Sequence, residues 1–425
     1  MGPASAPFIA LMIVAATGSV VGTVWLWPRF ARQRIRVLAA RLGLIVGSQV
    51  LVMAAILSYI NGYFSFFDSW SAVFGNGTPP PAAATGIVGS PRPIMITGTD
   101  LGPVPGGGSA LPELADGRPA PKPPHIYTQH HATTEPSIVP GLDISGGVAR
   151  AARSVGEVLQ VTVSGEHTGI GSAANYVYLP PQYFQKAYAR TRFPVVLSLT
   201  GYPNDPWSIV KRLAVPATAA RLVAQGKIGP AVYVMMNVSV ALPRDTECTN
   251  VPGGPQAETF LAEDVPLAVE RTFRVQSGRA GWAVLGYSTG GYCAAKLTMM
   301  YPDRFSAAVS MAGYYTAIKD STTGNLYGGS RAYQNENNLN WRLTHLPAPP
   351  VSVLVTSSRV GEKDLPGTLA FLRLIHPPMR GYSLIVAQGG HNYRTWNRQL
   401  PQSLEWLNQR LAPAAPRPPG AGTGG

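Results

Sequence analysis

The sequence predicts an α/β domain, with a mostly parallel central sheet and helices on both faces, preceded by two transmembrane helices. Three observations carry that expectation. Short, continuous apolar runs alternate with helical stretches along the carboxyl-terminal part of the chain. One of those runs, Gly281-Trp282-Ala283-Val284-Leu285, leads directly into Gly286-Tyr287-Ser288-Thr289-Gly290-Gly291. Two long apolar stretches occupy the amino terminus. At 425 residues and 45% hydrophobic content, the chain can bury one large core plus accessory segments.

Residues 1–74 read as a membrane anchor, with spans at about 8–27 and 44–64, each long enough to cross a hydrocarbon core as a helix. The first acidic residue is Asp68. Between the spans lie Arg29, Arg32, Arg34, Arg36 and Arg41 with no acid, and short loops rich in arginine stay on the cytoplasmic side. Both ends of the hairpin then face outward, and the α/β domain is expected to be extracellular. Tyr59, Tyr63, Phe64, Phe66, Phe67 and Trp70 suit the outer interface. A cleaved signal peptide would open with basic residues, and none precedes Phe8. The formal charge of +13 is therefore partly a topology signal, and no zinc finger, recognition helix or arginine-aromatic pattern argues for nucleic acid.

From 75 to 150 the composition shifts to Pro79-Pro80-Pro81, Gly106-Gly107-Gly108 and Pro119-Ala120-Pro121-Lys122-Pro123-Pro124, which predicts a disordered tether. His125, His130 and His131 fall there without acidic or cysteine partners and read as solvated; neither a metal site nor a cofactor is expected. The α/β domain spans 151–411, and the Pro/Gly-rich tail 412–425 is expected to be disordered. The domain opens with alternating segments at 158–163 and 175–179, an expected antiparallel hairpin. The later strands are uniformly apolar, the pattern of parallel strands buried on both faces. Helices are expected near 209–225, 257–275, 289–301, 367–375 and 399–411. The insert from Tyr314 to Leu346 either shapes the pocket over the site or is an idle surface feature.

A buried strand ending in G-x-S-x-G is the sequence form of a nucleophile elbow, so Ser288 is the candidate nucleophile. A serine hydroxyl needs a base, an orienting acid and an oxyanion hole. In this motif class the order along the chain is serine, acid, histidine. Three histidines follow Ser288. His345 and His376 sit beside prolines at helix ends and suit surface or capping roles; His391 follows a late strand and Gly389-Gly390, where a base belongs. The loop after the strand at 351–356 offers Glu362 and Asp364 as the acid, and spacing does not separate them. The oxyanion donors are expected to be the backbone N–H groups of Thr289 and of Tyr202, in the loop Thr200-Gly201-Tyr202-Pro203.

Over roughly residues 155 to 411 the chain resembles the esterase family that includes the mycobacterial antigen 85 proteins and esterase D. The resemblance rests on Leu199-Thr200-Gly201-Tyr202, on Gly286-Tyr287-Ser288-Thr289-Gly290-Gly291, on the loop ending at Glu362 and on Gly389-Gly390-His391-Asn392. With its anchor, the chain looks most like membrane-anchored actinobacterial esterase-like proteins. The resemblance implies an α/β-hydrolase fold, a Ser-Glu-His triad that selects Glu362 over Asp364, and acyl-ester hydrolysis or transfer through an acyl-enzyme. The implied partners are an acyl-ester substrate and a lipid or cell-wall glycan hydroxyl as acceptor. Antigen 85 proteins carry aspartate where this chain has Thr200, so trehalose and mycolate specificity does not carry over. The alternatives are a tethered binding or scaffold protein that has lost its chemistry, or a serine peptidase of the same fold. Cys248 and Cys293 are the only cysteines; outside the membrane an even count predicts a disulfide, on the expectation that adjacent strands bring their loops together.

Overall fold

A computed structural model describes residues 5–30, 35–64, 70, 93–97, 155–362 and 364–416. The chain divides into two compact units, residues 1–83 with 389–395, and residues 84–388 with 396–425. Phe66, Phe67, the rest of the 75–150 segment with His125, His130 and His131, and residues 417–425 lie outside the described residues.

In the first unit, α1 (Ala6–Leu26) and α2 (Ile35–Phe64) flank a short 3₁₀ turn, Trp27–Phe30. The stretches Pro7–Arg29 and Val37–Asn61 both have mean hydropathy 2.0 and are long and apolar enough to cross a membrane. Their apolar side chains point outward: Val24 is 70% exposed, Val14 68% and Leu38 67%. Water disfavours such a surface, whereas lipid would cover it. Arg29 lies over the Trp25 ring at 3.8 Å and Arg41, in the second turn of α2, over the Trp27 ring at 4.9 Å. Phe8 meets Trp70 edge-on, ring centroids 4.9 Å apart.

The second unit is built on a nine-stranded sheet: β1 (Pro93–Thr97), β2 (Glu157–Ser164), β3 (Gly171–Leu179), β5 (Val195–Leu199), β6 (Val232–Met236), β7 (Trp282–Tyr287), β8 (Ala307–Met311), β9 (Ser352–Val360) and β10 (Arg380–Gln388). A two-residue strand, β4 (Thr191–Arg192), pairs outside it with β11 (Ala415–Pro416). The spatial order is β1-β2-β3-β6-β5-β7-β8-β9-β10. β2 and β3 form the expected antiparallel hairpin, β3 runs antiparallel to β6, and from β6 to β10 every pairing is parallel. Strands β5, β6, β7 and β8 are buried at every position, which is why their sequences read as nearly continuous apolar runs, broken only by the buried Ser198 and Ser310.

The helices are α3 (Trp207–Lys211), α4 (Val215–Ala224), α5 (Ala257–Thr259), α6 (Val265–Thr272), α7 (Thr289–Met300), α8 (Arg331–Glu336), α9 (Leu339–His345), α10 (Leu365–Leu374) and α11 (Tyr393–Asn408). Three of them depart from expectation. The single helix expected over 209–225 breaks at Ala214, which takes φ 52, ahead of Pro216. Proline supplies no N–H and clashes with the preceding turn. The helix expected over 257–275 contains a π turn, Phe260–Asp264, in which the Val265 N–H reaches back to Phe260 O just before Pro266. The last helix begins at Tyr393 because the Asn392 side chain accepts the Thr395 N–H at 3.0 Å, a cap that the expected start at 399 overlooked.

Two stretches expected to lack regular structure carry short strands. Pro93–Thr97, inside the Pro/Gly-rich segment, pairs in parallel with β2. Residues 412–416 continue along the domain: Ala412 donates to Ala280 O at 2.7 Å, and Ala415–Pro416 pairs with β4.

The β5–β7–α7 junction leaves no room for a further β-carbon. A Cβ on Gly286 would lie 2.1 Å from Gly290 O, and one on Gly290 would lie 2.4 Å from Thr200 O and 2.5 Å from Leu199 O. Neither backbone oxygen can yield without moving a strand end. Gly290→Ala should therefore lower unfolding stability by at least about 2 kcal/mol. Gly171→Ala, where nothing lies within 4 Å, should be near neutral. Urea midpoints of the two variants check the contrast.

Candidate active site

Ser288 occupies the turn between β7 and α7 with φ 57 and ψ −123, a conformation that L residues rarely adopt. The turn is fixed by backbone bonds: Ser288 N donates to Met311 O at 2.9 Å, while Gly291 N and Tyr292 N donate to Ser288 O at 2.9 and 3.1 Å. The side chain is thereby held at the amino-terminal end of α7, whose first N–H groups have no acceptor within the helix. Thr289 is the first residue of α7.

The loop after β5 reaches the same place. A Cβ on Gly201 would lie 2.9 Å from Ser288 Cβ and 3.1 Å from the Tyr287 ring, so only glycine lets this loop pass. The loop thus brings the Tyr202 backbone alongside Ser288. The Tyr202 hydroxyl donates to Pro243 O at 2.6 Å. Thr200 is fully buried and accepts the Val238 N–H at 3.2 Å, a structural task for the residue that departs from the antigen 85 pattern. Beneath the elbow, the Tyr287 hydroxyl lies 2.7 Å from Ser208 Oγ, and its ring packs on Trp396 at 4.6 Å.

Glu362 follows β9, two strands from β7. Asp364 sits two residues later at the start of α10, its carboxylate turned onto the first turn: a Cβ on Gly367 would be 2.4 Å from Asp364 Oδ1. Burial, followed by the charge of Glu362, pushes the Asp364 carboxyl up from its ordinary value. His391 lies in Gly389–Thr395, which belongs to the first unit. That segment is held locally by Asn392 N to Gly390 O and Gly390 N to Thr395 Oγ1, both 2.9 Å. The other two histidines that follow Ser288 have local partners. His345 stacks on Trp341 at 4.5 Å, and His376 Nε2 lies 3.2 Å from Leu343 O.

Cys248 and Cys293 form the predicted disulfide, Cα–Cα 5.9 Å, and both are fully buried. The route differs from expectation, because β5 lies between β6 and β7. The loop after β6 must therefore pass the end of β5 to reach α7. Sequence reading missed the polar cluster beside this bond. Glu247, 1% exposed, receives the Tyr314 hydroxyl at 2.6 and 2.8 Å from its two carboxyl oxygens and the Ile318 N–H at 3.3 Å. Lys296, fully buried in α7, donates to Cys248 O at 2.8 Å and Thr249 Oγ1 at 3.1 Å and pairs with Glu258 at 3.2 Å. No local pattern marks these residues, which come from separate segments. Among the described residues, no group of three or more His, Cys, Asp or Glu side chains could hold a metal ion.

Burial, reinforced by the charge of Asp245, pushes the Glu247 carboxyl up to about 8, against the opposing pull of Tyr314, Lys296 and the Ile318 amide. A raised carboxyl keeps its proton in the folded chain at pH values where the unfolded chain has released it. Its contribution to stability is complete below the ordinary value of 4.5 and is lost as pH rises toward about 8. The thermal midpoint should fall less steeply over that interval in Glu247→Gln than in the wild type, and parallel curves would assign the pH dependence to other groups.

A pocket of about 810 Å³ opens beside the Tyr202 loop, bordered by Arg244, Gly253, Thr322, Asn325 and Gly328 among others. Part of its wall comes from the insert after β8. Arg244 braces that wall through Thr323 O and Asn325 O, both at 3.0 Å.

In solved structures, a ferulic acid esterase superposes with a TM-score of 0.53 at 20% identity, covering 61% of this chain and 99% of that one. An S-formylglutathione hydrolase from Agrobacterium tumefaciens gives 0.51 at 17%, covering 61% and 97%. At these identities the likeness is one of fold. Among protein sequences, an uncharacterized protein of Corynebacterium glutamicum is 22% identical over 273 residues, 61% of this chain and 63% of that relative. The MPT51/MPB51 antigen of Mycobacterium tuberculosis is 34% identical over 83 residues, 19% of this chain and 26% of the antigen. The chain thus spans less than two thirds of either relative. Residues 172–407, more than half of the sequence, match the family model described as "Putative esterase", and the chain belongs to that esterase family.

Proposed function

We propose that this protein is a membrane-anchored serine hydrolase of acyl esters whose α/β domain faces the outside of the cell. The observation that carries the reading is the backbone of Ser288, held at φ 57 and ψ −123 at the head of α7 with Gly201 packed against its Cβ. Strain of this kind persists where the surroundings over-determine it, and it presents the hydroxyl clear of the sheet.

In this reading, Ser288 Oγ attacks the acyl carbonyl while His391 accepts its proton and Glu362 orients and stabilises the resulting imidazolium. The amides of Thr289 and Tyr202 receive the developing oxyanion. Collapse of the tetrahedral intermediate breaks the ester C–O bond, and His391 returns the proton to the departing alcohol. Water, or the hydroxyl of a lipid or cell-wall glycan, then attacks the acyl-enzyme with His391 as base, the acyl C–Oγ bond breaks, and His391 returns the proton to Ser288 Oγ. Asp364 is the weaker candidate for the acid, because its carboxylate is turned onto the start of α10. The pocket beside Tyr202 leaves room for an acceptor as well as water, which favours transfer as a second outcome of the same acyl-enzyme. The arginine-bearing turn between α1 and α2 supports the outward orientation of the domain.

The full-length protein in detergent should hydrolyse short acyl p-nitrophenyl esters, and Ser288→Ala should lose at least about a hundredfold in kcat/KM. A fluorophosphonate probe should label the wild type at Ser288. A scaffold that has lost its chemistry would not label, and a peptidase would show its preference in competition between ester and amide substrates. Protease added to intact cells should remove the α/β domain; protection of the domain would reverse the orientation.

A further inference from the structure

The pocket beside the Tyr202 loop is polar and carries charge of one sign. Among the described residues that border its volume of about 810 Å³, Arg244 is the only one with a charged side chain. Hydroxyl and amide side chains such as Thr322 and Asn325 form much of the remainder. Two glycines in the wall, Gly253 and Gly324, take φ 68 and φ 60 and leave their backbone uncovered, so a ligand can approach it closely.

One loop joins this pocket to the nucleophile. Gly201 packs against Ser288, where a Cβ would lie 2.9 Å from Ser288 Cβ. Tyr202, the next residue, borders the pocket, and its hydroxyl donates to Pro243 O at 2.6 Å. Arg244 follows Pro243, so the Tyr202 side chain runs from the elbow toward the cation. The guanidinium is held in place by the insert: Nε donates to Thr323 O and Nη2 to Asn325 O, both at 3.0 Å. A guanidinium carries more N–H donors than two carbonyls accept. Two carboxylates adjoin this wall in sequence, and both are engaged elsewhere. Asp320 Oδ1 accepts the Thr322 N–H at 2.7 Å and the Thr322 hydroxyl at 2.6 Å. Asp245, 4% exposed, accepts the Ser239 hydroxyl at 3.1 Å and the Glu247 N–H at 3.0 Å. Among the described residues, no carboxylate forms an ion pair with Arg244.

We infer that this pocket receives the alcohol part of the ester, and that Arg244 selects alcohols bearing a phosphate or a carboxylate. The inference rests on the hydrolase reading above and adds a substrate class to it. Polar walls suit a hydrated alcohol, whereas an acyl chain is stabilised by apolar surface that it can cover. With its carbonyl at Ser288, such an ester extends along Tyr202 and brings its anion to Arg244, which donates charge-assisted hydrogen bonds. Arg244 takes no part in making or breaking bonds; it decides which alcohol is held.

Three butyrate esters with different leaving phenols test this in the full-length protein in detergent: 4-carboxyphenyl, 4-(methoxycarbonyl)phenyl and 4-(trimethylammonio)phenyl, which are anionic, neutral and cationic. Each kcat/KM is divided by the ester's alkaline hydrolysis rate, which removes leaving-group reactivity. The anionic ester should lead the neutral one by about tenfold at low salt, and about 1 M salt should shrink the lead. Arg244→Gln should erase the preference, and Arg244→Glu should turn it toward the cationic ester, a gain that a misfolded pocket does not produce. Competition against the anionic ester separates the sources of the anion. Inhibition by glycerol 3-phosphate points to a free anionic polyol, and inhibition by phosphatidylinositol in mixed micelles to a lipid headgroup. A wild type that ranks the three esters equally, or an Arg244→Gln that keeps the wild-type ranking, would overturn the inference. If no ester is cleaved and a fluorophosphonate does not label, the hydrolase reading falls and takes this one with it; an active, labelled protein indifferent to charge removes the subsite alone.

Discussion

The constraint on which the rest of the domain depends is the close approach of three backbone segments at the end of β7. The strand end at Gly286, the first turn of α7 at Gly290 and the loop after β5 at Thr200 and Gly201 occupy a space in which no further β-carbon fits. That packing forces Ser288 into a positive-φ turn, and the turn ties it to β8 through Met311 O. A side chain placed this way cannot relax into the sheet. The strain is maintained by buried strands on either side, β5 and β8, rather than by anything in the turn itself.

Around this point the domain divides its labour between apolar and polar burial. The central strands β5 to β8 are mostly apolar, and their stability comes from area removed from water. The surroundings of α7 are different. Lys296, Glu258, Glu247, Tyr314 and Thr249 are taken from water at the cost of desolvation and offset it by contacting one another. Breaking one partner of such a cluster would leave another buried and unpaired, which costs more than the pair contributes. The disulfide fixes the loop that delivers Glu247.

The amino-terminal unit obeys a different solvent. Two helices of mean hydropathy 2.0 leave their apolar side chains outward, so the physics that hides Val284 inside the sheet disfavours water over Val14 and Val24, which a lipid environment would cover.

Much of this was legible in the residues alone. Burial on both faces leaves little room for polar side chains, so β5, β6, β7 and β8 announced themselves as mostly apolar runs. Steric exclusion leaves only glycine at Gly286, Gly290 and Gly201, so the elbow and its neighbouring loop were written as a motif. Two cysteines allow one pairing, so the bond needed no coordinates, although its path around β5 did. Tertiary structure decided the rest. The break at Ala214 and the π turn before Pro266 depend on how each helix must meet the sheet, which local propensity does not encode. The Glu247–Tyr314 contact joins residues 67 apart in sequence. Periodicity and motif spacing report only on neighbours along the chain, whereas a buried hydrogen bond between distant segments exists only once the sheet order has brought their loops to the same edge.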